Sequence, residues 1–334
     1  MIDKATFWQG KKVLVTGAGG FIGSHLVEKL FQSGAEVRAF VRYNSRGDPG
    51  LLSMLPKGIL DKLEIIPGDL RDLQAMLSAS RDIEIIFHLG ALIAIPYSYK
   101  HPAEVVESNV MGTMNVLLAS RENRIERLVH TSSSEVYGSA VRVPIDETHP
   151  LQGQSPYSAS KIGADKIAES FYCAYDLPVV TIRPFNTFGP RQSARAVIPS
   201  IIIQAINQSK VHLGNLEANR DFTYVSDTVD GFLCGAQTPH IEGRTINLGA
   251  GMEIRIIDLA KEIISILGKP IEIVVDSERL RPEKSEVTRL LSDNRLAKEV
   301  LGWVPQVSLR EGLFKTIEWI SRHRQYYHSL GYQL

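Results

Sequence analysis

Short apolar runs alternate with longer amphipathic stretches along the first half of the chain. The apolar runs lie within KKVLVTG, EVRAFVR, LEIIPGD, IEIIFHLG, IERLVHTSS and LPVVTIRP. Their length predicts buried strands, whereas stretches such as FIGSHLVEKLFQSG and SPYSASKIGADKIAESFYCAY carry the apolar period of helices. Strand and helix in strict alternation predict an α/β fold, with a doubly wound parallel sheet covered by helices on both faces.

The pattern changes after about Arg183. Loops rich in Pro, Gly and Arg appear in RPFNTFGPRQSARAVIP, together with short predicted strands in VHLG and RTINLG and predicted helices near 226–237 and 256–267. We therefore expect two units, residues 1–183 and a smaller mixed α/β lobe of residues 184–334, with some chain exchange between them. Because no linker separates the units, they are expected to share a cleft.

Charge and composition indicate which classes of binding partner are not expected for this chain. Basic and acidic residues balance at 37 each, which gives no electrostatic footprint for a nucleic acid or an anionic membrane. The longest apolar run, around IIFHLGALIAIPY, is too short to span a bilayer, and no apolar signal core precedes the first predicted strand. A cytoplasmic location is expected. No cluster of His, Cys and Asp has metal-ligand spacing, so no metal site is expected.

A glycine-rich segment, TGAGGFIG, follows the first predicted strand and opens the first predicted helix. Gly17, Gly20 and Gly23 allow a tight turn and let backbone N–H groups approach a pyrophosphate at the positive end of the helix, next to Phe21 and Ile22. Glycines at this spacing also occur in plain strand-to-helix turns. At the head of a βαβ series, however, they predict a Rossmann-like dinucleotide-binding domain in residues 1–183.

The end of the second predicted strand bears on the choice of dinucleotide. NAD-selective sites usually place an acid there, whereas this chain has Arg42, followed by Asn44 and Ser45. A guanidinium favours a 2′-phosphate, so NADP is favoured and NAD stays possible; alternatively, Arg42 is a solvated loop charge. Asp69 follows the third strand and suits the adenine amino group. Three apolar residues complete the predicted cofactor site: Leu70, Leu89 and Ala91.

Tyr157 and Lys161 are four residues apart at the start of a predicted helix, so their side chains share one face. An ammonium beside a phenol favours the phenolate, and an oxidised nicotinamide adds further positive charge. The pKa of Tyr157 is therefore expected to fall towards working pH. The phenolate would then take a proton from an alcohol as hydride leaves.

At these motifs the chain resembles the extended short-chain dehydrogenase/reductase family, in its NAD-dependent epimerase/dehydratase branch that acts on nucleotide sugars. The resemblance covers nearly all 334 residues and is carried by TGAGGFIG, HLGA, TSSSEVYG, YSASK, RPFNTFGPR, RDFTYVSDTVDGF and LGWVP. It implies a dinucleotide in the first unit and a nucleoside-diphosphate sugar in the second. It also implies a homodimer built through a four-helix bundle, to which helices at about 101–122 and 156–175 would contribute.

Glu135, within TSSSEVYG, distinguishes the activities of this branch. The resemblance implies oxidation at C4 of the sugar, with Ser133 bonding the C4 oxygen beside Tyr157. Epimerases typically carry a small or hydroxyl residue at the position of Glu135, whereas 4,6-dehydratases carry a glutamate that removes the C5 proton before water leaves from C6. UDP-glucuronate decarboxylases also carry this glutamate. The expected activity is 4,6-dehydration, with decarboxylation or 4-epimerisation as alternatives; the expected catalytic residues are Ser133, Ser134, Glu135, Tyr157 and Lys161.

Ser134 stands where dTDP-glucose dehydratases carry an aspartate. In this departure the chain resembles the GDP-mannose dehydratases or the UDP-sugar branch. The stretches RPFNTFGPRQSARAVIP and PLQGQSPYSASKIGAD are most similar to bacterial UDP-N-acetylglucosamine 4,6-dehydratases of the legionaminic-acid type. The implied reaction converts UDP-N-acetylglucosamine to a UDP-4-keto-6-deoxy amino sugar.

Several polar residues in the loops after the strands are candidates for holding the substrate. Asn186 suits a hydrogen bond to the sugar or phosphates, unless it only caps a loop, and Arg220 resembles a diphosphate-binding arginine, unless it forms a surface ion pair. The complete predicted set is Tyr97, Asn186, Arg195, Arg220 and Arg281. For the decarboxylase alternative, Arg183, Arg191 or Arg195 would grip a C6 carboxylate. His88 and His130, at strand ends, are expected to be core histidines.

Overall fold

The computed structural model describes residues 6–327, which form twelve strands and eleven α-helices. The strands are β1 (Lys12–Thr16), β2 (Glu36–Arg42), β3 (Glu64–Gly68), β4 (Ile85–His88), β5 (Arg127–Thr131), β6 (Val179–Pro184), β7 (Asn186–Phe188), β8 (Lys210–Leu213), β9 (Asn219–Tyr224), β10 (Thr245–Leu248), β11 (Glu253–Arg255) and β12 (Glu272–Val275). The helices are α1 (Phe21–Gln32), α2 (Lys57–Leu60), α3 (Leu73–Ala79), α4 (Ile95–Lys100), α5 (Pro102–Val106), α6 (Gly112–Glu122), α7 (Pro156–Tyr175), α8 (Val197–Asn207), α9 (Val225–Gln237), α10 (Ile256–Leu267) and α11 (Leu309–Arg322).

Seven strands form one parallel sheet in the order β10-β6-β5-β4-β1-β2-β3. Strand β1, in the interior of this sheet, is buried on both faces. Val13 and Val15 pack into one apolar cluster, and Leu14 packs into another on the opposite face. Burial of both faces explains the continuous apolar runs in the sequence, because helices cover a parallel sheet on both sides. The predicted α/β, Rossmann-like, doubly wound sheet is confirmed.

The smaller lobe carries two short sheets. Strand β9 pairs antiparallel with β11 and parallel with β7, and β8 pairs parallel with β12. Strand β10 leaves this part of the chain and joins β6 in the large sheet, and α9 packs against α1 and β6. Residues beyond 184 therefore complete the first unit.

The loop between β5 and α7 is organised by serines. Ser133 accepts a hydrogen bond from the Glu135 N–H and begins a short 3₁₀ turn, Ser134–Tyr137. Ser155 caps α7 by exchanging hydrogen bonds with Ser158, and Pro156 occupies the first turn. These two caps place TSSSEVYG and YSASK next to each other at the carboxyl ends of the parallel strands, where open α/β sheets bind ligands.

The helices at 101–122 are α5 and α6, joined without a break by a π turn, Glu107–Met111. They pack against α7. Across residues 6–327, no helix combines the length and the apolar character that a bilayer crossing requires.

Candidate active site

A single cleft of about 1020 Å³ runs along the carboxyl ends of the large sheet and continues between the sheet and the smaller lobe. It brings together nineteen of the predicted residues: Gly17, Gly20, Phe21, Ile22, Gly23, Arg42, Asn44, Asp69, Leu70, Leu89, Ala91, Ser133, Ser134, Glu135, Tyr157, Asn186, Arg195, Arg220 and Arg281. Ser45, Tyr97 and Lys161 do not line the cleft.

The glycine turn fits the pyrophosphate of a dinucleotide. Gly17 has a φ of +69°, and a Cβ there would meet Gly90 N at 2.7 Å; a Cβ on Gly23 would meet Gly17 O at 2.2 Å. Only glycine is tolerated at these two positions. No side chain caps the N-terminus of α1, so its first N–H groups remain available to phosphate oxygens on the cleft wall.

The part of the cleft next to the end of β2, where the cofactor is predicted to bind, is polar and exposed. Arg42 ends β2, is 65% exposed and pairs with Glu104 at 3.3 Å. The side chain of Asn44 is used within its own loop, where Oδ1 accepts from the N–H groups of Arg46 and Asp48. Ser45 is exposed and does not line the cleft. Its predicted contact with the cofactor stays a prediction.

Asp69 lies on the cleft wall, but its carboxylate is already engaged. Arg71 donates to it from Nη2 at 2.7 Å, and this guanidinium is the largest cause of the lowered pKa of Asp69. A free oxygen lone pair can still accept from an adenine amino group, since an ionised carboxylate has about four acceptor sites. The predicted role of Asp69 remains a prediction.

Tyr157 projects from the first turn of α7 towards Ser133. The pKa of Tyr157 is raised to about 12: burial is the largest cause, a hydrogen bond with Ser133 opposes it, and the charges of Glu135 and Asp165 add to it. The expected fall in the pKa of Tyr157 is wrong for the protein by itself. Desolvation of the phenolate outweighs the favourable hydrogen bond.

Lys161 is buried one turn after Tyr157. Its Nζ donates to the carbonyl of Thr131, at the end of β5, at 2.5 Å. Burial lowers the pKa of Lys161 to about 8, and the charge of Asp165 opposes that shift. The ammonium therefore stays mostly protonated at neutral pH, but it is held behind the cleft wall, whereas we predicted it beside the phenol in the cleft.

Glu135 is the acidic residue of the turn Ser134–Tyr137, which directly follows Ser133. Its side chain is 13% exposed, lines the cleft, and lies 3.8 Å from Nη1 of Arg281. Ser134 beside it is 3% exposed and also reaches the cleft wall. One carboxylate, one phenol and one hydroxyl thus converge on the same part of the cleft, which suits proton transfer at neighbouring atoms of one substrate.

The substrate half is lined by basic and amide side chains. Arg220 is buried, and its Nη2 lies 3.5 Å from Glu286; Asn186 donates to the carbonyl of Asp221 at 3.3 Å. Arg195 is exposed on the loop before α8. Tyr97 does not line the cleft, since its hydroxyl donates to Glu104 at 2.5 Å, and its predicted role in substrate binding stays a prediction.

Two of the three arginines proposed to grip a C6 carboxylate are engaged elsewhere. Arg183 donates to Asp165 at 2.9 Å and to the hydroxyl of Tyr137, and Arg191 pairs with Glu28 at 2.5 Å. Neither lines the cleft, so only Arg195 remains of that set.

The two histidines at strand ends are buried, as expected. His88 lies between the hydroxyls of Thr16 and Thr113, and His130 contacts the carboxylate of Asp165. Across residues 6–327, no group of three or more His, Cys, Asp or Glu side chains is arranged to hold a metal ion.

The sequence reasoning missed Asp165, which is 5% exposed and accepts from Ser132 Oγ at 2.7 Å, from Arg183 and from His130. The spacing in the sequence could have revealed it, because Asp165 lies four residues after Lys161, on the helix face that carries the catalytic candidates.

Comparison with known proteins gives relatives of two kinds of activity. The family described as GDP-mannose 4,6 dehydratase matches residues 14–316. The UDP-glucose 4-epimerase of Mycolicibacterium smegmatis is 34% identical over 321 residues, which are 94% of this chain and 100% of the relative. The crystal structure of DesIV, a dTDP-glucose 4,6-dehydratase from Streptomyces venezuelae with NAD bound, superposes with a TM-score of 0.85 at 28% identity and covers 96% of this chain and 99% of that chain.

A third relative handles an amino sugar. The UDP-N-acetylglucosamine 4-epimerase of Methanobrevibacter ruminantium, in complex with UDP-N-acetylmuramic acid, has a TM-score of 0.85 at 29% identity, over 94% of this chain and 99% of that chain.

Proposed function

The chain belongs to the GDP-mannose 4,6-dehydratase-type family of NAD-dependent epimerases and dehydratases, and we propose that within this family it is a 4,6-dehydratase acting on UDP-N-acetylglucosamine. The observation that carries the proposal is the position of Glu135, on the cleft wall beside the Ser133–Tyr157 pair. An acid at this point has a chemical task in dehydration and none in returning a hydride to C4.

The first step is oxidation at C4 of the sugar. Tyr157 takes the proton of the C4 hydroxyl, and Ser133 donates to the resulting carbonyl oxygen. The ammonium of Lys161 is buried one turn further along α7, and for Tyr157 to act as a base the positive charge of a bound oxidised nicotinamide would have to lower its raised pKa. A bound nicotinamide dinucleotide would be held by the glycine turn, and it would supply the acceptor for the hydride that leaves C4 and the donor of the hydride that reaches C6.

The second step is loss of water across C5 and C6. The C4 carbonyl acidifies the C5 proton, and Glu135 removes it as the carbon–oxygen bond at C6 breaks. Ser134 carries no acidic proton of its own. Glu135 therefore passes the same proton to the departing C6 oxygen, so that water leaves and the carboxylate is regenerated.

The substrate half suits a nucleoside-diphosphate sugar. Arg220 and Arg281 provide guanidinium groups for the diphosphate, and Asn186 and Arg195 lie further along the same wall. An N-acetylated sugar is proposed from the resemblance of RPFNTFGPRQSARAVIP to the legionaminic-acid type. The amino-sugar epimerase of Methanobrevibacter ruminantium supports this choice, because a similar fold accepts such nucleotides.

The cofactor choice rests on Arg42. The guanidinium on the cleft wall supports NADP, as the sequence predicts. Two observations weigh against a strong preference: Glu104 pairs with Arg42 at 3.3 Å and competes with a 2′-phosphate, and the DesIV relative carries NAD. We therefore expect NADP to be preferred by a small factor.

A homodimer is proposed through α5, α6 and α7. Val106 and Met111, on the exposed side of this helical unit, are 45% and 50% exposed, which supports a covering partner. Mass photometry at nanomolar to micromolar concentration tests it, with twice the chain mass of 37.1 kDa expected.

The 4-epimerase alternative keeps support from the relatives that carry this activity. The decarboxylase alternative needs a cation for the C6 carboxylate, and the engagement of Arg183 and Arg191 weakens it.

One experiment separates these activities. The purified protein is incubated in heavy water with UDP-N-acetylglucosamine, UDP-glucuronate or GDP-mannose, and the products are analysed by mass spectrometry and NMR. A dehydratase gives a 4-keto-6-deoxy sugar, lighter by one water and deuterated at C5. Glu135→Gln should slow this loss of water by roughly 10²–10⁴-fold while cofactor reduction continues. Glu278→Gln, an exposed acid, is the matched control. Release of carbon dioxide or formation of a simple epimer refutes the proposal.

A further inference from the structure

Two arginines and two glutamates alternate along the substrate half of the cleft. Arg281 Nη1 lies 3.8 Å from Glu135 Oε2, and Arg220 Nη2 lies 3.5 Å from Glu286 Oε1. All four side chains line the cleft. Glu135 is thus at once the acid assigned to the C5 proton and the counter-ion of a guanidinium assigned to the diphosphate.

The contact between Arg281 and Glu135 is loose. The Nη1 atom of Arg281 is buried and has no hydrogen-bond partner among residues 6–327. At 3.8 Å the carboxylate balances the charge of the guanidinium without accepting from its N–H groups, since such bonds have heavy-atom distances of about 2.7–3.2 Å. A buried donor left unpaired is costly. An anion that brings acceptor oxygens within hydrogen-bond range therefore displaces the carboxylate.

We infer that Arg281 pairs with Glu135 in the free protein and exchanges this carboxylate for the diphosphate when the substrate binds, an exchange that we call the hand-over. Nucleotide binding thereby releases the carboxylate to remove the C5 proton. The inference rests on the proposed function of Glu135. It makes Arg281 a positioning residue for the acid as well as a ligand of the diphosphate. A nucleoside diphosphate is the chemical class that fits, because it offers several acceptor oxygens to two guanidinium groups at once.

The hand-over has a consequence that does not involve the sugar. Glu135 and the diphosphate compete for one guanidinium, and coupling between two ligands of one group is reciprocal. Removing the carboxylate must then strengthen the binding of a nucleoside diphosphate that lacks a sugar. If Glu135 acted only at C5, the same substitution would leave the affinity unchanged.

The experiment is a calorimetric titration of UDP, with GDP in parallel, into wild type, Glu135→Gln, Arg281→Ala and the double variant. We expect Glu135→Gln to bind UDP about fivefold to twentyfold more tightly than wild type, within the usual range of such couplings. The gain should be clearly smaller when Arg281→Ala is the background, where only the charge of Glu135 on Arg220 remains, and partly restored with Arg281→Lys. Glu283→Gln, an exposed acid two residues from Arg281, removes the same charge and should stay within about twofold of wild type.

Two results overturn the hand-over while leaving the proposed function intact. One is an unchanged affinity for UDP in Glu135→Gln. The other is an equal gain in the Arg281→Ala background, which would show a long-range charge effect that does not pass through Arg281. If neither UDP nor GDP binds wild type, the proposed function fails and the hand-over fails with it.

Discussion

Asp165 holds the catalytic helix to the sheet, and its removal is the sharpest test of how the site is built. The carboxylate accepts from Ser132 Oγ at 2.7 Å, from Arg183 Nη2 at 2.9 Å and from His130 Nε2 at 3.1 Å. These partners lie on or directly after β5 and on β6, and Asp165 lies on α7. Asp165→Asn keeps the shape of the side chain and removes its charge.

Two lines of reasoning give the size of the effect. Asp165 has a pKa of about 2, against an ordinary value of 3.8: burial acts to raise the pKa, but His130, Arg183 and Ser132 together favour the ionised form more strongly. A shift of about two units corresponds to roughly 2–3 kcal/mol of stability at neutral pH. Asp165→Asn also leaves the guanidinium of Arg183 buried without a counter-ion, and breaking a buried pair in this way costs about 3–5 kcal/mol. We expect the larger figure, since only it includes the orphaned guanidinium.

The assay is urea unfolding across a range of pH. Because the pKa of Asp165 is lower in the folded protein than in the unfolded chain, its contribution is present above about pH 4 and is lost as the pH falls towards 2. Asp165→Asn should lower the unfolding free energy at pH 7 and flatten its dependence on pH over that interval. Ser132→Ala, which loses one hydrogen bond, should cost about 1 kcal/mol. Glu169→Gln, on the exposed side of α7, should cost less still. If Asp165→Asn is as stable as wild type at pH 7 and its unfolding free energy has the same dependence on pH, then Asp165 does not hold α7 to the sheet.

Three further predictions concern the cofactor and the first chemical step. Gly17→Ala should lower the affinity for the dinucleotide by roughly tenfold or more, because the φ of Gly17 is +69° and a Cβ there would meet backbone at 2.7 Å. The affinity is measured by fluorescence titration. The control Gly58→Ala, where a Cβ meets nothing within 4 Å, should bind the dinucleotide as wild type does. Arg42→Asp should shift the ratio of NADP to NAD affinity towards NAD by about tenfold to a hundredfold, and an unchanged ratio would show that Arg42 is a solvated loop charge. Tyr157→Phe should slow cofactor reduction in a single turnover by roughly 10²–10⁴-fold, whereas Tyr175→Phe, exposed on the same helix, should leave it unchanged.

The fold could be predicted from the sequence because its signals are local. Each strand of the large sheet up to β6 is a short apolar run, and each of its faces is covered, so the pattern alone indicates a parallel sheet. The return of β10 to that sheet could not be read in this way. The segment RTINLG pairs with a strand about sixty residues earlier, and nothing in its own sequence names the partner.

The same contrast between local signals and long-range contacts applies to the residues of the candidate site. Gly17, Ser133 and Tyr157 were found because fixed spacings place them at a turn or at the start of a helix. The hydrogen bond of Tyr97 to Glu104 could not be foreseen, because it depends on how α4 and α5 meet. The pKa of Tyr157 was misjudged for a related reason: spacing reveals neighbours along a helix, whereas the desolvation that raises this pKa depends on the whole fold.

The arrangement of charges in the cleft explains how a protein without net charge can attract a dianion. The 37 basic and 37 acidic side chains produce no global field, so the attraction must come from guanidinium groups in the cleft itself. Unpaired, the buried guanidinium of Arg220 and the partly buried one of Arg281 would repel each other and carry a desolvation cost. Glu135 and Glu286 reduce that cost, but at 3.8 and 3.5 Å they hold Arg281 and Arg220 more weakly than a hydrogen-bonded diphosphate would. Under the proposed function, the site is thus stable without substrate and still gives up its arginines to one, and the same arrangement supplies, at Glu135, the carboxylate that dehydration would need.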